Sequence, residues 1–160
     1  MNIGKKFLCS ITLFIFAAGT FGMISGQNLE KCRVKDQDNR VPAYQIGRTE
    51  RTSEGPPTLL VQISIEPQHI NRNDLVALAG QLKKVFCKEQ RVDVAIFDAY
   101  RYARNFSPIE ENPYYWQGLE SMRGGYYFDR TTGEEYVEFS TIPNYFKNKK
   151  DRVRIEISKN

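Results

Sequence analysis

Residues 58–97, TLLVQISIEPQHINRNDLVALAGQLKKVFCKEQRVDVAIF, hold two apolar segments on either side of one amphipathic segment. Every second residue of the first segment is apolar, which is the period of a β-strand with one buried face. Pro67 ends this strand because proline has no N–H to donate to a sheet. The last segment, residues 92–97, is apolar at nearly every position except Asp93, as is typical of a central strand.

The middle segment predicts the principal helix of the chain, over residues 72–88. Asn71 or Asn73 can cap its start, because an asparagine side chain accepts a hydrogen bond from a free backbone N–H. The apolar residues recur at helical spacing and form one stripe: Leu75, Leu78, Ala79, Leu82, Val85 and Phe86. Strand, helix and strand in this order predict a βαβ unit with parallel strands.

The flanking sequence adds further elements to this unit. Alternating residues predict a short strand over 43–50, and Asp98 is expected to cap a short helix that starts at Ala99. Prolines and a glycine make residues 107–122 a loop with at most one helical turn.

The C-terminal part predicts a hairpin and a last strand. Aromatic and β-branched residues at 126–128 and 136–139 flank a turn in which Gly133 suits a positive φ. Residues 153–157 alternate between apolar and charged side chains. The expected order is therefore β-β-α-β-(α)-β-β-β, an α+β fold with a mixed five- to six-stranded sheet and one principal amphipathic helix.

Residues 1–26 are typical of a secretory signal peptide. Two lysines precede an uncharged stretch over residues 7–24, and small residues end it. We expect cleavage after Gly26, with cleavage after Gly22 as the alternative. The competing interpretation is a retained membrane anchor, because eighteen helical residues reach about 27 Å, close to the hydrocarbon thickness of a bilayer.

Cleavage leaves a polar N-terminal arm, residues 27–42, and a single domain, residues 43–160. Of the three cysteines, Cys9 leaves with the leader. Two cysteines, Cys32 and Cys87, remain after cleavage, and an even number of cysteines in an oxidising compartment favours a disulfide. We therefore predict a bridge between them. Two buried thiols are the alternative.

Charge and composition exclude several classes of function. The chain has 23 basic and 19 acidic residues, and two of the lysines belong to the leader. The net positive charge of the domain is therefore small, which does not indicate nucleic-acid binding. The only histidine is His69, which we expect in a loop or helix cap. One histidine and two oxidised cysteines do not suffice for a zinc or copper site, so we expect no metal and no cofactor.

Two carboxylates are candidates for catalysis. Glu66 and Asp98 follow the two parallel strands, whose carboxyl ends share one edge of the sheet, where ligands of open α/β sheets bind. Such a pair can perform general acid and base catalysis. The alternative is a structural role, with Asp98 as a helix cap and Glu66 in solvent.

Aromatic and arginine side chains are concentrated between residues 100 and 127. Tyrosine, tryptophan and arginine are the residues that dominate binding hot spots. The candidate binding residues are Arg101, Arg104, Tyr114, Tyr115 and Trp116. The alternative is that these aromatic rings pack onto the sheet as a lid.

The sequence therefore predicts an exported, non-enzymatic domain, secreted or periplasmic, that binds another macromolecule through this aromatic and arginine-rich surface. A protein partner is favoured over a glycan, and a membrane is expected only if the leader is retained. The alternative is a small hydrolase of a cell-envelope or extracellular polymer that uses Glu66 and Asp98.

Overall fold

The computed structural model describes residues 40–52 and 55–157. The predicted signal peptide, Cys32 and most of the predicted arm lie outside the described residues. Within the described ranges no helix is both long and apolar enough to cross a bilayer.

Six strands form one mixed sheet in chain order, which confirms the predicted α+β fold. The strands are β1 (Tyr44–Arg51), β2 (Leu59–Ile65), β3 (Arg91–Phe97), β4 (Met122–Asp129), β5 (Glu134–Phe139) and β6 (Val153–Glu156). Only β2 and β3 are parallel, and all other neighbours are antiparallel. The hairpin between β4 and β5 turns at Gly133, whose φ of 70° confirms the predicted positive φ.

The helix α1 (Arg72–Val85) covers one face of the sheet and completes the predicted βαβ unit. Asn71 caps it, because the Asn71 side chain accepts a hydrogen bond from the Asp74 backbone N–H at 3.1 Å. Leu75, Leu78 and Leu82 are each at most 1 % exposed in the main core. Each such leucine contributes about 1.5–3 kcal/mol of hydrophobic stabilisation.

The opposite face of the sheet is covered at one end only. Two short helices, α2 (Tyr100–Asn105) and α3 (Tyr115–Ser121), lie there. A second, smaller cluster is built around Phe97, Ala103 and Phe106. The predicted short helix is therefore present, whereas α3 forms where a loop with one turn was predicted.

One local prediction is wrong. Asp98 does not cap α2, because Ala99 is the N-cap residue and no side chain bonds the first turn. Val41, near the end of the predicted arm, belongs to the main core and is 9 % exposed.

Candidate functional site

A groove lies on the sheet face opposite α1, beside the end that α2 and α3 cover. We call it the open-face groove. Its cavity volume is about 480 Å³, within the range of ligand-binding clefts. The strand register places side chains of this face in two neighbouring rows that cross all six strands. The first row consists of Arg48, Gln62, Ala95, Gly125, Glu138 and Arg154. The second row consists of Glu50, Leu60, Asp93, Tyr127, Tyr136 and Glu156.

The groove exists because the floor residues are small. Ala95 and Gly125 are paired on the central strands β3 and β4 and both line the cavity. Most of the other side chains that line the cavity are larger, and Leu60 contributes an apolar side chain from β2. Central strands with small residues in one row therefore leave a depression in the middle of the sheet.

The segment of residues 106–109, which follows α2, forms one wall. The Phe106 carbonyl oxygen accepts hydrogen bonds from Arg48 Nη1 at 3.3 Å and from Gln62 Nε2 at 3.4 Å. Ile109 also lines the cavity, with 58 % of its surface exposed. Hydrogen bonds to two strands thus fix this wall to the sheet.

The opposite wall comes from β5 and the segment that precedes β6. Tyr145 donates a hydrogen bond from its hydroxyl to Glu138 Oε1 at 2.6 Å, and burial raises the pKa of this phenol. The Arg152 guanidinium lies 3.9 Å from the centre of the Tyr145 ring and also contacts Glu138. The carboxylate of this wall is therefore already paired.

Asp93 lies on the row beside the small-residue floor, next to two tyrosines. It is paired in register with Tyr127, whose ring centre is 5.4 Å from that of Tyr136. Although Asp93 opens to the groove, the surrounding protein displaces water from the carboxylate and so raises its pKa. No hydrogen bond or ion pair joins the Asp93 carboxylate to another residue that the structure describes.

Two of the predicted binding residues, Tyr115 and Trp116, end a series of aromatic rings that runs outwards from the sheet. Phe97 contacts Phe106, Phe106 stacks on Tyr115, and Tyr115 meets Trp116 edge to face, with ring centres 5.4, 6.2 and 5.0 Å apart. Trp116 ends the series with 59 % of its surface exposed. Tyr115 therefore supports the fold, and Trp116 is open to a partner.

The remaining predicted binding residues lie on α2 and just before α3. Arg101 and Arg104 are exposed on α2, where Arg101 donates a hydrogen bond to the Tyr102 hydroxyl at 2.9 Å. Tyr114 is half-buried as the N-cap residue of α3. None of the three lines the open-face groove.

The candidate carboxylates Glu66 and Asp98 line one shallow depression of about 350 Å³ at the carboxyl ends of β2 and β3. The two residues lie at the same edge of the sheet, as the parallel arrangement of the strands predicts. Asp98 Oδ2, however, accepts a hydrogen bond from Arg123 Nε at 2.7 Å, and Ser121 binds its other oxygen. Because the Arg123 side chain is 9 % exposed, Asp98 serves as the counter-ion of a buried arginine.

Asp93, Tyr127 and Tyr136 are not among the site residues that the sequence predicts. A signal is present, since Asp93 is the one charged residue in the otherwise apolar run of residues 92–97. His69 ends a short 3-10 turn, Pro67–His69, that precedes α1, and its Nδ1 is 2.7 Å from Asp74 Oδ2 in the first turn of that helix. Across the described ranges, no group of three histidine, cysteine or acidic side chains is placed to hold a metal ion.

No protein-family model matches this sequence, and no curated protein or solved structure shows significant similarity to it.

Proposed function

We propose that this chain is an exported, non-enzymatic domain that binds a protein partner through the open-face groove and through its rim, by which we mean the exposed side chains Ile109, Trp116, Arg101 and Arg104. The observation that carries the proposal is the groove itself, a cavity of about 480 Å³ whose wall carries an exposed isoleucine. Part of the groove is formed by the region between residues 100 and 127, where aromatic and arginine residues are concentrated.

The exposed side chains near the groove favour a protein as the ligand. Ile109 on the wall and Trp116 at the end of the ring series are the two most exposed large apolar residues among those described. Arg101 and Arg104 on α2 add exposed guanidinium groups. Exposed tryptophan and arginine beside an apolar cleft are what protein-binding hot spots use.

A hydrolase that uses Glu66 and Asp98 is the weaker proposal. A catalytic carboxyl group must be able to reach its substrate, whereas both oxygens of Asp98 are already bound, one by Arg123 and the other by Ser121. Under this alternative, Asp98→Asn would abolish hydrolysis of cell-envelope polymers.

Export and the disulfide belong to the same proposal. A signal peptide at residues 1–26 would deliver the domain to an oxidising compartment, where a partner would meet the groove. A bridge from Cys32 would tie the arm to Cys87, which follows α1 closely in the chain. It would close a loop of 55 residues, worth about 4 kcal/mol in the chain-entropy treatment.

Site-specific photo-crosslinking in the native cells tests the proposal. A benzoylphenylalanine residue is placed at position 109 or 116, and matched controls carry it at Val76 on α1 or Val153 on β6, which are also exposed apolar positions. We expect one protein adduct shared by positions 109 and 116 and absent from both controls. Equal adducts at all four positions would contradict a specific surface at the groove.

A further inference from the structure

Asp93 is the acidic residue of the open-face groove that the fold leaves without a partner. Glu50 is paired with Arg48 at 2.8 Å, and Glu138 is bound by Tyr145 and Arg152. Among the described residues, nothing donates a hydrogen bond to Asp93. Among the described residues, Asp93 is therefore the acidic side chain of the groove that has no counter-ion, and it lies in the row beside the small-residue floor.

The neighbouring arginines are not free to supply that partner. Each of them is held by an acidic group elsewhere, Arg91 by Asp129, Arg154 by Glu156 and Glu134, Arg152 by Glu138 and Arg48 by Glu50. None of these arginines pairs with Asp93, so the carboxylate is open to a cation from a partner.

The aromatic surroundings of Asp93 suit an organic cation. The Arg154 guanidinium lies 3.6 Å from the centre of the Tyr136 ring, so the fold itself already places a cation on one tyrosine of this face. Tyr127, which is directly beside Asp93, contacts the other tyrosine ring. A carboxylate next to an aromatic ring combines ion pairing with cation–π attraction.

We propose that Asp93 binds the cationic group of a lysine or arginine side chain of the protein partner, with the Tyr127 ring beside it. This inference rests on the proposed function and names the chemistry of its ligand. The incoming cation supplies the counter-charge that the fold does not provide, while the apolar stem of the side chain lies along Leu60 and the wall formed by residues 106–109.

The binding of small basic probes tests this inference without the partner. Amide resonances of the domain are followed by NMR during titration with N-acetyl-lysine methylamide or N-acetyl-arginine methylamide, and N-acetyl-norleucine methylamide is the neutral control. We expect saturable shifts centred on Asp93 and Tyr127 with at least one basic probe. The better probe identifies the preferred cation.

Two variants make the test specific. Asp93→Asn should weaken probe binding at least tenfold, whereas Asp151→Asn, at an exposed carboxylate that does not line the groove, should leave it unchanged. Equal binding of the norleucine probe, shifts centred elsewhere, or unchanged binding to Asp93→Asn would overturn the inference. Adducts at positions 109 and 116 together with a negative titration would leave the proposed function standing and remove only this assignment.

Discussion

Tyr115 and Trp116 are adjacent in the chain, but their surroundings differ. Tyr115 is half-buried and stacks on Phe106, whereas Trp116 is 59 % exposed. Tyr115→Ala should lower the free energy of unfolding by about 1–3 kcal/mol because a packed aromatic ring is lost. Trp116→Ala should change it by less than about 0.5 kcal/mol.

Urea unfolding of the two variants beside the wild type measures both values. Equal losses would show that the tryptophan is also part of the core, and it would then not be available to a partner.

We expect the Asp93 carboxylate to lower the free energy of unfolding of the domain without a bound partner. Its raised pKa means that the folded state ionises less readily than the unfolded state. The contribution of Asp93 to the free energy of unfolding should therefore fall as the pH rises above the ordinary carboxyl pKa and through the pKa of the folded state, and it stays lower at neutral pH.

Asp93→Asn should remove this fall and stabilise the domain at pH 7. Because the side chain opens to solvent, the gain should be about 0.5 kcal/mol. Urea unfolding of both proteins between pH 3 and pH 7 provides the measurement. A destabilised variant at pH 7 would mean that the carboxylate has a stabilising partner.

For single residues, the sequence predicts well which side chains of a periodic element are buried, but it predicts contacts between distant residues poorly. The leucines of α1 are buried as their spacing predicts. Asp98 was expected to cap the next turn, but its partner is Arg123, 25 residues away. A local pattern cannot identify a partner that only the folded sheet brings close.

The contact between α2 and β1 positions the groove wall. A Cβ atom at Gly47 would lie 2.4 Å from the carbonyl carbon and oxygen of Ala103, so only glycine allows the helix to approach the strand this closely. Gly47→Ala should lower the free energy of unfolding by about 1–3 kcal/mol, as overpacking does.

Gly80→Ala is the matched control, since nothing lies within 4 Å of a Cβ atom at that exposed position of α1. It should raise stability by about 0.5–1 kcal/mol because alanine favours helix. Thermal or urea unfolding compares the two glycine variants. Stabilisation by both substitutions would contradict the close packing of α2 on β1.

The elements that the sequence predicts are those with a clear period. The βαβ unit and the hairpin follow from alternating and helical patterns. The helix α3 was missed because Pro113 and Gly118 indicate a loop. In the structure Gly118 is a packing residue, since a Cβ atom there would lie 2.3 Å from the Phe106 ring.

In the described part of the molecule, one helix covers one face of the sheet and two short helices cover only an end of the other. This asymmetry leaves the open-face groove, which no sequence pattern indicates because α2, α3 and the floor residues meet only in the folded chain. The α+β class followed from element order, but the groove depends on small residues, Ala95 and Gly125, being in one row.

The intact mass of the protein tests whether the leader is cleaved on export and whether the disulfide forms. Protein expressed with its leader in an exporting host should have the mass of residues 27–160 and gain two hydrogens on reduction of one disulfide. A full-length mass in the membrane fraction would instead identify residues 7–24 as an anchor, and an unchanged mass on reduction would exclude the Cys32–Cys87 bridge.

The affinity of the crosslinked partner for rim variants shows whether the open-face groove and its rim form the binding surface. Isothermal titration calorimetry compares the wild type with the double variants Ile109→Ala/Trp116→Ala and Val76→Ala/Val153→Ala. We expect the first to bind about 30-fold more weakly or worse, which is the scale of a lost hot spot, and the second to bind like the wild type. Equal affinity of the two double variants would contradict binding at the open-face groove.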